Sequence, residues 1–347
     1  MKKQSKNKKK KKLTSLLLLC FLTIIMISIS TYAWFTANRT VTISSLDVNV
    51  TASSGLQVST DAYTWKTVIT NADINTADTL YGAAVNQVPT VLKPVSTAGN
   101  FLDATSGKLA MFSGTVIDDA GDFKLTAAAL TDTKGNGVDA GDYIVFDLFL
   151  KNDSTEPLTP LYLSSESGVI PKNGSTDSGL KNASRIAFVV EGNALSSAPV
   201  AAQGITTADT SNVYIWEPNF DVHTANGVTA ALSTYKINTS LDNATRIDYQ
   251  GVKAPIASPG VKLGDANTTD GGTYASSFQA VTPKYVTSAK YSEIAVGDEY
   301  LAIFSLKPGI TKLRIYMWVE GQDVDCENNA SGTDISFNVQ FTLNKTK

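Results

Sequence analysis

His223 is the single imidazole among 347 residues, and it follows the segment Trp216-Glu217-Pro218-Asn219-Phe220-Asp221. A catalytic zinc site or a histidine-based triad needs further ligands, or a nucleophile and an orienting acid, at defined spacing. No HExxH sequence or recognisable Ser/Asp partner accompanies His223, so it reads as a loop residue. Carboxylates are plentiful, 32 in all, yet no spacing singles out a pair for acid–base chemistry. The clearest oxygen-ligand pattern is Asp132-Thr133-Lys134-Gly135-Asn136-Gly137-Val138, followed by Asp139 and Asp142. Oxygen donors at alternate positions with glycine at the sixth are the opening of a calcium loop, which makes Asp132, Asn136, Asp139 and Asp142 the candidate calcium ligands. Lys134 stands where an acid is wanted, and Tyr143 replaces the bidentate glutamate at the twelfth position, so an ordinary turn is the preferred reading. Asp323, Asp325 and Glu327 form a second acidic cluster, read as a solvated turn after a strand. Trp65 and Trp216 are aromatic faces on which a sugar could stack, although such residues more often belong to a core. With no activated nucleophile and no metal triad, the residues point away from an enzyme, and no cofactor is expected beyond the calcium candidate.

The elements that must hold these residues are strands. Short alternating runs of β-branched and aromatic residues, separated by Gly, Asn, Asp and Ser, predict an all-β fold. Its expected form is an antiparallel β-sandwich, jelly-roll-like, with loop-rich insertions and room for two sub-domains. Val41 to Val50 is extended, and its alternation slips at Ser44-Ser45, which predicts a bulge or two short strands. Leu56 to Ser59 and Tyr63 to Val68 read as a hairpin around Thr60-Asp61-Ala62. Met111 to Ile117 and Phe123 to Leu130 flank a turn over Asp118 to Asp122, the second of them equally compatible with a short helix. Tyr143 to Leu150 is the plainest strand, followed by Ile186 to Val190, Val213 to Trp216, Tyr300 to Leu306, Leu313 to Val319 and Ile335 to Leu343. The last alternates Ile335, Phe337, Val339, Phe341 and Leu343 with polar residues, as a half-buried antiparallel strand at an edge or within a sheet does. Val138 to Asp142 and Leu306 to Ile310 echo each other, each bringing a glycine before a strongly apolar strand. Cys326 is the only cysteine of this body and reads as a lone buried thiol, with an intermolecular disulfide as the alternative.

Charge is distributed unevenly. Eight lysines precede residue 13; removing them from the 29 basic residues leaves 21 against 32 acidic ones, a charge of −11 for the rest of the chain. An acidic body excludes nucleic acid as a partner, because phosphates require clustered Lys and Arg. Leu13 to Phe35 carries no charge and, as a helix, would reach roughly 34 Å, enough to cross a hydrocarbon core. Residues 1–12 are therefore expected to form a basic cytoplasmic segment, 13–35 a signal peptide or membrane anchor, and 36–347 an extracellular body. Thr31-Tyr32-Ala33 suits signal-peptidase cleavage between Ala33 and Trp34; the long apolar run equally suits a retained anchor. Cys20 lacks the small residue that lipidation wants before it, since Leu19 stands there.

Thr31-Tyr32-Ala33-Trp34-Phe35-Thr36 resembles the processing junction of the TasA/camelysin family of bacterial matrix proteins. The segment Ala140-Gly141-Asp142 through Phe146, Phe149 and Asn152-Asp153-Ser154 is similar to that family's Pro-Gly-Asp, strand, Asn-x-Ser pattern, with Ala140 in place of proline. The resemblance implies a jelly-roll fold and assembly into extracellular fibres, hence a surface structural protein; a membrane-tethered binding module for a glycan or protein is the alternative. Physically, Thr40 to Val50 at a freed chain end either pairs with a sheet edge of the next subunit or pairs within its own sheet.

Overall fold

The computed structural model describes residues 41–42, 48–52, 56–99, 102, 107–119, 122–137, 140–157, 161–164, 166–172, 179–206, 212–218, 223–227, 229, 250–262, 278–280, 301–323, 325–326 and 334–343. The segments 1–12 and 13–35, with Ala33 and Trp34, lie outside these residues, and so do Asp139 and Glu327. Among the described residues no helix is long and apolar enough to cross a membrane.

Eight strands carry the organisation: β1 (Val48–Ala52), β2 (Met111–Asp119), β3 (Asp122–Leu130), β4 (Ile144–Asn152), β5 (Ser184–Ala194), β6 (Val213–Trp216), β7 (Gly309–Val319) and β8 (Ile335–Thr342). The all-β expectation holds, with mostly antiparallel sheets. The helices α1 (Asn71–Asn75) and α2 (Pro199–Gln203) are five residues long.

The principal sheet runs Gly135–Gly137, Asn86–Pro89, β4, β7, β5, β6, with Gln57–Ser59 also bonded to β4. β7 lies between β4 and β5 and is buried over its whole length. Its sequence, GITKLRIYMWV, explains why: apolar or aromatic residues occupy both faces, as in a strand covered on each side. On one face Ile144, Phe146, Leu148, Ile186, Phe188, Leu313, Ile315 and Met317 share a core with Ile335, Phe337, Val339 and Phe341 of the second sheet. On the other, Tyr143, Val145, Ala187, Val189, Tyr316 and Trp318 pack with Val95, Leu109 and Met111. Further along that face, Phe149 and Ile310 meet Ala62, Tyr81, Ala84 and Ala202.

The second sheet is ordered Leu301–Ala302, Tyr162–Leu163, β8, β1, Val68–Ile69, with Gly168–Pro171 also on β8. β8 is thus an interior strand, not an edge, and it pairs parallel to β1, Val48 opposite Phe337 through Ala52 opposite Phe341. Of the two readings of the Thr40 to Val50 stretch, pairing within the chain's own sheet is the one observed for Val48–Ala52; Val41–Thr42 pairs with Val91–Leu92. Among the described residues the stretch contributes Val41–Thr42 and Val48–Ala52; Ser44 and Ser45, where the alternation slips, lie outside them.

Other boundaries shift for identifiable reasons. β2 and β3 form a hairpin in register from Met111 opposite Leu130 to Asp119 opposite Asp122, so the turn is only two residues long and the helical alternative for 123–130 falls away. The hairpin expected at 56–68 is reduced to one bridge between Val58 and Lys66. Val58 is taken by β4 instead, and Val68–Ile69 by β1. The strand expected over Tyr300 to Leu306 is confined to Leu301–Ala302.

Candidate functional site

Of the candidate calcium ligands, Asp132 and Asp142 are held by protein partners. Asp132 accepts hydrogen bonds from the hydroxyls of Tyr143 (2.6 Å) and Tyr316 (3.2 Å), whose rings stack on each other. Asn136 sits in the short Gly135–Gly137 strand, opposite Val88. Asp142 forms an ion pair with Lys93. Trp216 is 3 % exposed and belongs to the main core, which leaves no face for a sugar; Trp65 packs against the Phe149 cluster with the Lys151 ammonium 5.6 Å from its ring centre. Cys326 is buried and free, as expected of a lone thiol.

Two clusters of buried charge stand out. The first lies in the middle of the principal sheet. Strand register sets Asp147 of β4 directly opposite Arg314 of β7. A bulge in β5 between Val190 and Gly192 displaces Glu191 from the regular ladder. The result is a closed quartet. Arg314 Nε lies 2.8 Å from Asp147 Oδ1 and its Nη1 3.2 Å from Glu191 Oε1, while Lys312 Nζ is 2.7 Å from Glu191 Oε2 and 3.6 Å from Asp147 Oδ2. Lys312 also donates to the Ile205 carbonyl at 2.6 Å, just beyond α2. Burial works to raise the Asp147 carboxyl, but Arg314 and Lys312 outweigh it and hold it below the usual range. Burial and then the Asp147 charge push Glu191 up to about 7 against the pull of the same two cations. Two acids and two bases enclosed in this way cross-brace three strands, and none of the four is presented to solvent.

The second cluster lies where β5 begins and β6 and β7 end. Arg185, the second residue of β5, stands opposite Trp318 and is fully enclosed. Its Nη2 bridges Glu217, at 2.8 Å, and Asp323, and its Nη1 donates to the carbonyls of Asn182 (2.7 Å) and Ser184 (3.0 Å). After β7 the chain turns through Glu320 to Asp323, and the Asp323 Oδ1 accepts the Asp325 amide at 2.7 Å. Asp325 is then fixed on both oxygens. Oδ1 accepts the Thr224 amide (2.8 Å) and hydroxyl (2.7 Å); Oδ2 accepts Asn182 Nδ2 at 3.2 Å and lies 3.1 Å from His223 Nδ1. Burial disfavours charge on His223, yet the Asp325 hydrogen bond and the nearby Asp323 and Glu217 charges together raise its pKa.

This arrangement corrects one sequence expectation. Asp323 and Asp325 are not on a solvated turn, being 3 % and 0 % exposed. His223 does lie in a loop, as expected, and its side chain, 5 % exposed, is partnered by Asp325. Their meeting joins residues 102 positions apart, which no local spacing could announce. The legible signal was the pair of aspartates, Asp323 and Asp325, shortly after the strand LRIYMWV, where a carboxylate is buried if the turn packs against the sheet.

Among the described residues, His223, Asp323 and Asp325 are the group whose donor atoms, all within 4.8 Å of one another, could hold a metal ion. No family model matches the chain, and no curated protein or solved structure is detectably similar to it.

Proposed function

We propose that the protein is an exported structural component of the cell surface, a β-sheet subunit of extracellular matrix or fibres in the manner of the TasA/camelysin proteins. The carrying observation is the sequence of the first 35 residues, eight lysines followed by an uncharged apolar run long enough to enter a membrane. The strand-rich body agrees with this role. Its principal and second sheets share one core, consistent with a two-layer sandwich of the jelly-roll kind, and its mid-sheet charges serve to brace strands. Membrane contact in this reading is confined to the N-terminal segment, and the acidic exterior favours protein partners, above all further copies of the same chain, over nucleic acid.

N-terminal sequencing of protein recovered from the cell surface and from the culture medium tests the reading. A start at Trp34, with fibres appearing in electron micrographs as concentration rises, is the expected result. An intact lysine-rich start on a monomer that never assembles would replace the structural subunit with a tethered ectodomain.

A further inference from the structure

The His223 cluster has donors beyond those its internal hydrogen bonds use. Asn182 is 3 % exposed; its Nδ2 is bonded to Asp325, and its Oδ1, enclosed at the same place, has no hydrogen-bond partner. An amide oxygen left unsatisfied in the interior costs on the order of 1–3 kcal/mol, and a native fold retains such a group where something else meets it. Charge points the same way. Within the cluster Glu217 and Asp323 pair with the Arg185 guanidinium and Asp325 meets the His223 imidazole, and carboxylates gathered in the interior favour a cation held among them.

We propose that His223, Asp323, Asp325 and the Asn182 carboxamide bind a first-row divalent metal ion, represented by zinc. The donors are one imidazole, two carboxylates and one amide oxygen, with no thiolate, a set suited to Zn²⁺ or Mn²⁺; calcium takes oxygen ligands alone. The spacing fits. His223 Nδ1 and Asp325 Oδ2 are 3.1 Å apart, close to the separation of neighbouring ligands that each lie about 2.1 Å from a shared ion. The ion displaces the Nδ1 proton, which leaves to solvent from the imidazolium or shifts to Nε2 in the neutral ring, so that Nδ1 binds as neutral imidazole. Asp323 keeps its contact with Arg185 and supplies a remaining lone pair. Bound there, the metal ties the 179–185 turn, the His223-Thr224 segment and the loop after β7 into one unit, independently of whether the chain is exported.

The full-length chain, purified in detergent, stripped with EDTA and dialysed, is titrated with zinc chloride while metal content and thermal unfolding are followed. One equivalent of zinc and a midpoint several degrees higher are expected, with no comparable shift from calcium chloride. X-ray absorption at the zinc edge then decides the ligands without any variant, because the chain has one histidine: a single imidazole among oxygen donors identifies this site. His223→Gln and Asn182→Leu should each weaken zinc binding by at least about tenfold. Zinc below stoichiometry, an unchanged midpoint, a sulfur-ligated spectrum, an equal response to calcium, or undiminished binding by His223→Gln would each overturn the assignment.

Discussion

Arg314 and Asp147 face each other across β4 and β7 in a region closed to water, so the cost of removing either differs from the worth of the pair. Asp147→Asn leaves the Arg314 and Lys312 charges sharing one acid, and a loss of roughly 3–5 kcal/mol is expected, the range for breaking a buried pair. Asp147→Leu combined with Arg314→Met removes both charges together and should cost clearly less than the sum of the two single changes; urea denaturation of the four proteins measures the difference. Glu191 sets a pH dependence. Its native carboxyl keeps a proton to about 7, as does that of Glu320, against an ordinary value of 4.5. The folded state therefore binds more protons than the unfolded chain between those values, and stability falls as pH rises through that window, by at most about 3 kcal/mol for each group. Melting temperatures recorded from pH 5 to pH 8 should decline, and Glu191→Gln should flatten the slope. An identical slope in the variant would remove Glu191 from this account. Cys326, buried, with its thiol pushed well above the usual range by that burial and by neighbouring carboxylates, should resist alkylation until the protein unfolds.

Among the elements, the two glycines in the echoed segments have a common backbone requirement. Gly141, before β4, has φ of 101°, and Gly309, at the first position of β7, has φ of 106°. At Gly309 a side-chain carbon would come within 2.1 Å of the Ala194 carbonyl oxygen on β5. Gly309→Ala should cost on the order of several kcal/mol, from strain and from separation of the β5 and β7 ends, readable as a lowered denaturation midpoint. These elements were largely legible in the sequence. YIVFDLFL and LRIYMWV announce strands because few other structures bury that many β-branched and aromatic residues in so short a span. Their lack of alternation also marks burial on both faces, a cue to the additional cover over the principal sheet that a simple two-layer expectation passes over. The parallel partnership of β1 and β8 was not legible, because alternation reports which face is buried and is silent about strand direction. The same holds for the charged clusters. Asp147, Glu191, Lys312 and Arg314 read in sequence as isolated polar interruptions of apolar strands, and only the register and the β5 bulge bring them together.

For the molecule as a whole, β7 is the centre, flanked by β4 and β5 and enclosed along all its residues. Amide hydrogen exchange should be slowest over 309–319, 144–152 and 184–190, which open only with global unfolding, and faster in Val68–Ile69 at the end of the second sheet. Equal protection of the two sets would deny β7 this role. The union of Val48–Ala52 with Ile335–Thr342 also has a consequence in time. During synthesis the first of these strands emerges long before the second, which follows about 280 residues later. Until then the early strand waits with one side unmatched, so a ribosome stalled between the two would leave a nascent chain whose open edge is offered to its neighbours.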